Sequence, residues 1–467
     1  LPIGATPSPD RHIPAEALTT HIRHSSISPV NALALLFKRR FGPLFVLLQA
    51  GTFNDNALKN SLIWLITFGG VAFLSGIESD ARVPVAAFIF TGPFVLVCAI
   101  AGQIADKIDR GDVLKWVKRA ELMIISLAAL GLWTNTFWML ALALGMMGAQ
   151  SGFFSPTKNA VLPQWLTPRE LIAGNALLSG FVFVFVLVGM VASLFIMQME
   201  GGPRTLAIVM IVMAVIGWIA GESLPPAPPP TPSLKIDFNP VTAIWNVLKD
   251  AFAAPDVLRP MLGIAWFYGL STVLVTTLPN YVAEVMGYNT LVLIVVLVVS
   301  TIGILIGAMI CAFFGNLKIW GPEAIRLSAL GMVGTVALST DIYLNTPDIS
   351  VAVGGVQQSL DVYFSQPEAI RMVGGLFFSS LFSGLFVVPL QAMAQRRADP
   401  ATRARLMSAG AVLLNIAVNL VTIALIFIAT LALPPKAPFL IIILGGLPVA
   451  LYAIWRCFHP TTGYADT

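Results

Sequence analysis

Asp55 and Lys59 stand four residues apart in Phe53-Asn54-Asp55-Asn56-Ala57-Leu58-Lys59-Asn60, with apolar sequence on both sides. On a helix, that spacing puts an acid and an amine on one face, with the acid N-terminal; Asn56 and Asn60 form a second polar pair on the adjacent face. Together they can hold a zwitterion, Asp55 taking an ammonium and Lys59 a phosphate. The apolar run begins near residue 41, so Asp55 lies about 20 Å into a helix that crosses about 30 Å of hydrocarbon. Charges at that depth cost several kcal/mol unless paired or wet. Two readings follow: the pair lines a polar pathway across the membrane, or it neutralises itself and locks the helix to a neighbour. The first makes Asp55, Lys59, Asn54, Asn56 and Asn60 candidate binding residues.

The elements that must position them are membrane helices. Charged residues are only 11% of the chain, less than half of what a soluble protein carries, and the mean hydropathy is +0.85. Apolar stretches near 20 residues recur, and the ten-residue alternation of a β-barrel does not. Twelve spans are predicted, at about 41–70, 83–104, 114–135, 137–158, 171–198, 205–222, 259–284, 290–314, 323–341, 370–394, 405–433 and 438–457. Cys98, Cys311 and Cys457 lie far apart in or beside spans and read as packing residues. The four histidines sit near the termini, and no cluster has metal-ligand spacing, so neither metal nor cofactor is expected.

Charge orients the spans. With the N-terminus inside, 22 of the 27 Lys and Arg residues fall in inner segments, 4 in outer loops, and Lys59 in the membrane. The positive-inside rule then puts both termini in the cytoplasm. The basic excess arises from this topology and does not argue for nucleic acid. The expected organisation is a cytoplasmic tail (1–40), a six-helix bundle (41–222), a Pro-rich cytoplasmic linker with a surface helix near 240–254 (223–257), a second six-helix bundle (258–458) and a short cytoplasmic tail (459–467). The first forty residues are polar, without the apolar core of a signal peptide. A long connection at 341–368 faces outward and carries Asp341, Asp348, Asp361 and Glu368 with no Lys or Arg.

The halves resemble each other. Cys98-Ala99-x-x-Gly102 recurs as Cys311-Ala312-x-x-Gly315, Ser151-Gly152 as Ser383-Gly384, and Ala173-Gly174 as Ala409-Gly410, each in an equivalent span. Such a 6+6 parallel repeat is the architecture of major facilitator transporters, whose site lies between the halves near the midplane. The second-half position matching Asp55 falls near Trp266-Phe267-Tyr268, which is uncharged. A cavity polar on one wall and aromatic on the other suits an amphiphile, and Tyr268 joins the binding set.

Gating residues are sought at the inner ends of spans. Gly102-Gln103-Ile104-Ala105-Asp106-Lys107-Ile108-Asp109-Arg110 fits a facilitator loop pattern. In that pattern Gly102 allows close helix approach, Asp106 caps a helix of the opposite half, and Lys107 and Arg110 hold it. The second-half copy, ending Gly315-Asn316-Leu317-Lys318, lacks the acid. Glu121 is expected to pair with Arg119, Lys158 or this latch. Lys158 and Gln391 end spans four and ten at equivalent depth, and Pro156 and Pro389 kink those spans. Asn415 and Asn419 read as an interhelical hydrogen-bonding pair.

Gly51-Thr52-Phe53-Asn54-Asp55-Asn56-Ala57-Leu58-Lys59-Asn60, Gly152-Phe153-Phe154-Ser155-Pro156-Thr157-Lys158, Leu278-Pro279-Asn280-Tyr281 and Gly384-Leu385-Phe386-Val387-Val388-Pro389-Leu390 together resemble the lysophospholipid transporter family of the major facilitator superfamily. The transporter portion of acyltransferase-fused carriers is similar. The resemblance implies a twelve-helix, all-α flippase of bacterial inner membranes that carries lysophosphatidylethanolamine or related lysolipids inward by alternating access. Asp55 matches the family's helix-1 acid, with Asn54 and Asn56 beside it. Membrane lipids are its surroundings, and a separate acyltransferase fits as a partner. The chain itself reads as a non-enzyme: acyl transfer needs His-x-x-x-x-Asp, and none of its four histidines has Asp five residues on. Two alternatives stand beside the flippase: a proton-coupled exporter of small amphiphiles, with Asp55 as the proton site, and a non-transporting protein on the carrier fold.

Overall fold

The computed structural model describes residues 32–69, 76–314, 319, 324–345, 357–398, 403–431, 433–434 and 436–459. The first 31 residues of the expected tail, residues 346–356 of the acidic connection, Gly315-Asn316-Leu317-Lys318 and the last eight residues lie outside the described residues.

The chain folds into α1 (Gly42–Thr67), α2 (Ser79–Lys107), α3 (Arg110–Thr134), α4 (Phe137–Trp165), α5 (Pro168–Met197), α6 (Gly202–Glu222), α7 (Pro240–Phe252), α8 (Pro255–Asn280), α9 (Thr290–Phe314), α10 (Ile325–Asn345), α11 (Leu360–Phe364), α12 (Pro367–Arg397), α13 (Arg403–Ala429) and α14 (Phe439–Phe458). Twelve of these run 20 residues or more. Among the described residues, nine helices are both long and apolar enough to cross a membrane. Three long helices fall outside that set: α1 and α3, whose interiors hold polar residues (Gln49, Asn54, Asp55, Asn56, Lys59 and Asn60 in α1; Lys118, Arg119 and Glu121 in α3), and α5, which counts there only over Val184–Met197. The end of the bundle where α1 begins and α14 stops is called here the terminal end, and the opposite one the distal end.

Local chemistry sets several boundaries. Helix α3 starts at Arg110 rather than near 114 because Asp109 caps it, accepting from the backbone N–H of Gly111 at 2.8 Å and Asp112 at 3.3 Å. Helix α5 opens on a capping box between Thr167 and Glu170. Glu170 also takes Lys38 at 2.7 Å and Arg40 at 2.6 Å, tying the segment before α1 to the start of α5. Helix α4 continues through Pro163 to Trp165, past the expected end at 158.

The repeat is visible in the packing. Helix α2 lies along α4, and α9 along α12. A Cβ on Gly152 would stand 3.0 Å from the Phe94 carbonyl oxygen, and one on Gly384 would stand 2.6 Å from the Ile304 carbonyl oxygen. The two sequence-matched glycines therefore serve the same close crossing in each half.

The halves meet at mid-depth and at the distal end. Trp64, Phe68, Met190 and Leu194 pack into a core with Val273, Tyr281 and Val292 of the second half. Trp64 Nε1 donates to Thr290 Oγ1 at 3.0 Å, and Thr67 Oγ1 donates to Asn280 Oδ1 at 3.1 Å. Asn280 also hydrogen-bonds Asp80. Nearer mid-depth, Thr91 Oγ1 donates to Asn419 Oδ1 at 2.9 Å, and Asn419 Nδ2 donates to the Thr91 carbonyl at 3.3 Å. On the distal face, α8 ends in a π-helical turn, Tyr281–Val285. The Gly287 carbonyl there accepts from Gln358 N at 2.7 Å, which fixes the described part of the 341–368 connection. Asp341 pairs with Arg371 at 2.5 Å.

Candidate substrate site and gates

Helix α1 carries Asp55 at mid-depth. At 1.5 Å per residue it lies about 20 Å from Gly42, level with Ser151 of α4 counted from Trp165. Ser151 Oγ is 3.2 Å from Asp55 Oδ2 and 3.3 Å from Gln150 Oε1. A serine hydroxyl has one proton, so it serves one of these acceptors at a time. Gln150 Nε2 in turn donates to Glu121 Oε2 at 3.2 Å, and Lys118 Nζ donates to the same oxygen at 2.5 Å. A polar chain thus runs from Asp55 through α4 to a buried ion pair on α3, and both members of that pair act electrostatically on Asp55.

Asp55 and Lys59 share a face of α1 and are both part-buried, yet no ion pair joins them among the described residues. The Lys59 ammonium reaches Asn56 Oδ1 at 3.4 Å. The remaining asparagines serve the scaffold. Asn56 Nδ2 donates to the Thr52 carbonyl at 2.9 Å, and Asn60 Nδ2 to the Asn56 carbonyl at 2.8 Å. Asn54 is fully buried against α6, with its amide within 3.3 Å of the Met210 carbonyl and the Ala214 N–H. Its expected place beside Asp55 in a cavity is therefore corrected: consecutive helix positions are 100° apart, and Asn54 points into the packed interior of the first half.

The opposite wall is less uniform than expected. Trp266 turns away, donating from Nε1 to the Gly445 carbonyl of α14 at 2.8 Å. Phe267 is in the second-half core. Tyr268 hydrogen-bonds Gln391, so a residue expected to bind and one expected to gate are joined.

Among the described residues Asp106 caps no helix of the opposite half: its Oδ1 accepts from Arg110 at 2.7 Å, while Arg110 also donates to the Ala105 and Ala160 carbonyls. Among the described residues, nothing outside its own helix backbone and chain neighbours lies within 4 Å of a Cβ built on Gly102. Lys107 forms no ion pair among the described residues. The loop instead binds the linker. Asp109 accepts from Ala227 N at 3.0 Å, the Asp106 carbonyl from Thr231 N at 3.0 Å, and Gln103 Oε1 from Asp237 N at 2.7 Å.

Glu121 pairs with Lys118, not with Arg119, Lys158 or the latch; Arg119 pairs with Glu222 at 2.7 Å. The pair fits because glycines clear space for it. A Cβ on Gly51 would meet Lys118 Nζ at 2.7 Å, and one on Gly221 the Lys118 Cβ at 3.2 Å. Lys158 has no hydrogen bond or ion pair among the described residues. Pro156 and Pro389 sit inside α4 and α12 as expected. Sequence reasoning missed Ser151 as the partner of Asp55, and Gln150 and Lys118 as the partners of Glu121. The available signal was the i, i+3 spacing of Lys118 and Glu121 within an apolar span.

Lysophospholipid transporter LplT of Enterobacter sp. (strain 638) is 23% identical over 239 residues, which cover 50% of this chain and 56% of that protein. LplT of Klebsiella pneumoniae subsp. pneumoniae is 22% identical over 322 residues, or 67% and 71% of the two chains. The first of these matches therefore spans little more than half of the relative's length. Among solved structures, a D-xylose-proton symporter superposes with a TM-score of 0.61 at 12% identity, covering 89% of this chain and 97% of that one. A POT peptide transporter in complex with alafosfalin does so with 0.64 at 15%, covering 89% and 94%. These likenesses establish the fold, an all-α membrane transporter architecture. The sequence pattern of the Major Facilitator Superfamily matches residues 118–356, just over half of the chain, and the protein belongs to that superfamily.

Proposed function

We propose that this protein is a lysophospholipid transporter of a bacterial inner membrane, with twelve spans in two six-helix halves and both termini cytoplasmic. The halves rock about a midplane site, exposing it first at the distal, outer end and then at the terminal, inner end. The observation that carries the reading is the carboxylate of Asp55 and the ammonium of Lys59, on one face of α1 at mid-depth and not spent on each other. A zwitterionic headgroup supplies the missing partners: its ammonium rests on Asp55, its phosphate on Lys59, and Ser151 turns its proton to Gln150 when the ligand takes Asp55. Similarity to relatives named lysophospholipid transporters supports the lipid class.

The test is flipping in proteoliposomes. Fluorescent lysophosphatidylethanolamine is placed in the outer leaflet and its protection from albumin extraction is followed. Wild type should protect it. Asp55→Asn and Lys59→Ala should each slow protection at least tenfold, about 1.4 kcal/mol of lost interaction. Ordinary rates in both variants would refute the site. No protein-dependent protection in a folded preparation would refute the lipid reading, and a rate that follows an imposed pH gradient on a small amphiphile would favour the exporter.

The closed distal end makes a separate prediction. Asn280 holds Thr67 and Asp80 of the first half through one amide. Each such bond contributes about 1 kcal/mol. Asn280→Ala loses two of them, about 2 kcal/mol, and should therefore shift the balance toward a distally open form by roughly thirtyfold. Thiol labelling of Thr277→Cys, which borders a cavity of about 150 Å³ between the halves at that end, should accelerate by a similar factor. Unchanged labelling would show that Asn280 does not hold the halves together.

A further inference from the structure

Helix α7 belongs to neither six-helix half, and its side chains sort into three stripes. Taking Val241 as zero and 100° per residue, Val241, Trp245 and Phe252 fall within about 40° of one another and are 71%, 61% and 53% exposed. Phe238, just before the helix, is 70% exposed. Ala243 and Ala251 are buried on a second stripe, where α7 packs on α2 and α13, one helix from each half. Thr242, Asn246 and Lys249 are exposed on a third stripe, between about 80° and 140°. A helix at a plain protein–water boundary has two faces, one apolar and buried and one polar and wet. The extra stripe here is apolar, aromatic and uncovered.

Its surroundings name what covers it. Helix α7 begins from an Asn239 cap with Pro240 in the first turn, at the terminal end of the bundle. Other exposed aromatics lie at the same end: Phe37 before α1, Trp116 near the start of α3, and Trp455 and Phe458 at the close of α14. Such a girdle marks where headgroups meet acyl chains. Trp245 and Phe238 continue it, and Thr242, Asn246 and Lys249 then face the aqueous side. Residues 235–252 carry Lys235, Asp237, Lys249 and Asp250 and no net charge, so insertion and not attraction to anionic lipid would hold the helix.

We propose that α7 is an interfacial helix whose Phe238, Val241, Trp245 and Phe252 lie in the headgroup–acyl boundary of the leaflet at the terminal end. Its other face rests on α2 and α13 at once, so the leaflet bears on the seam between the halves. The partner is the phospholipid surface itself, of zwitterionic or mixed composition. The inference rests on the membrane-spanning fold and is independent of the lysolipid reading.

The test uses the full chain in phosphatidylcholine nanodiscs. A polarity-sensitive fluorophore is attached to Val241→Cys or, on the wet stripe, to Asn246→Cys. The unsubstituted chain, labelled in parallel, gives the background from Cys457, so the native cysteines stay. Quenching is read with phosphatidylcholine carrying a nitroxide at chain carbon 5 and, separately, with aqueous iodide. The expected result is at least threefold stronger lipid quenching at 241 than at 246, with the order reversed for iodide. Equal iodide quenching at the two sites would place the stripe in water and overturn the proposal. Protection of 241 from both quenchers would show it covered by protein, such as a second copy, and would overturn it as well. Both substitutions are at exposed positions, and a monodisperse elution profile confirms folding before either reading is taken.

Discussion

Replacing Lys118 by Met, or Glu121 by Ala, should destabilise the protein by about 3–5 kcal/mol, because each leaves one buried charge without its counterpart. Both side chains are 2% exposed, and they are joined at 2.5 Å. Glu121 Oε1 has no hydrogen-bond partner among the described residues, so without Lys118 the carboxylate keeps only the Gln150 amide. Lys118 lies beside Gly51, Gly217 and Gly221, with the Phe154 ring 5.2 Å from its ammonium. The double variant Lys118→Met with Glu121→Gln should recover most of the loss, since it removes both charges and keeps an oxygen for Gln150. The measurement is the temperature at which half the protein leaves the monodisperse peak, expected to fall by roughly 10 °C in the single variants. That temperature reports resistance to irreversible loss, so the ranking of variants is the result to read. Single variants as robust as wild type would mean the pair is not what holds α3 against α1.

Gly148→Ala should be nearly as damaging, and at a position with no polar function. A Cβ there would lie 1.9 Å from the Phe90 carbonyl oxygen and 2.8 Å from its carbon. Those atoms are helix backbone, so α2 and α4 must separate; no side chain can swing aside. Overpacking of this kind costs about 1–3 kcal/mol or more. Helix α4 also carries Ser151 to Asp55, so transport should fall further than stability. Gly307→Ala provides the second-half counterpart, since its Cβ would stand 2.1 Å from the Leu381 carbonyl oxygen. Recovery of normal yield and transport in Gly148→Ala would show that the crossing is looser than these distances state.

Much of the fold was legible because hydrocarbon forces it. Apolar stretches of span length announce helices, and the matched Ser151-Gly152 and Ser383-Gly384 pairs announced a repeat that the α2–α4 and α9–α12 crossings display. The site was legible only in part. Asp55 and Lys59 stood out because charge is scarce in a membrane. Which asparagine faces what was not legible, since a polar side chain can return to its own helix backbone, as Asn56 and Asn60 do. Neither was the pairing of Glu121. Placing the start of span three at 114 put Lys118 and Glu121 near an aqueous end, whereas the Asp109 cap lengthens α3 and carries both inward. The partners of the loop were hidden for a related reason: its motif fixes which residues are present, and the linker that Asp106, Asp109 and Gln103 meet is absent from the motif.

From Ala227 to Asp237 the linker is pinned to the first half by Asp109, Asp106 and Gln103, and Trp165 Nε1 and Gln164 Nε2 hold the Pro226 and Pro228 carbonyls. The proline run is therefore a cable clipped along a wall, and no tension passes through it. The rest of the connection, from Phe238 to Ala254, is mostly α7, and that helix is seated on α2 of one half and α13 of the other. A tilt of one half against the other would therefore have to shift α7 on α2 or on α13, which makes that rod a bearing across the seam.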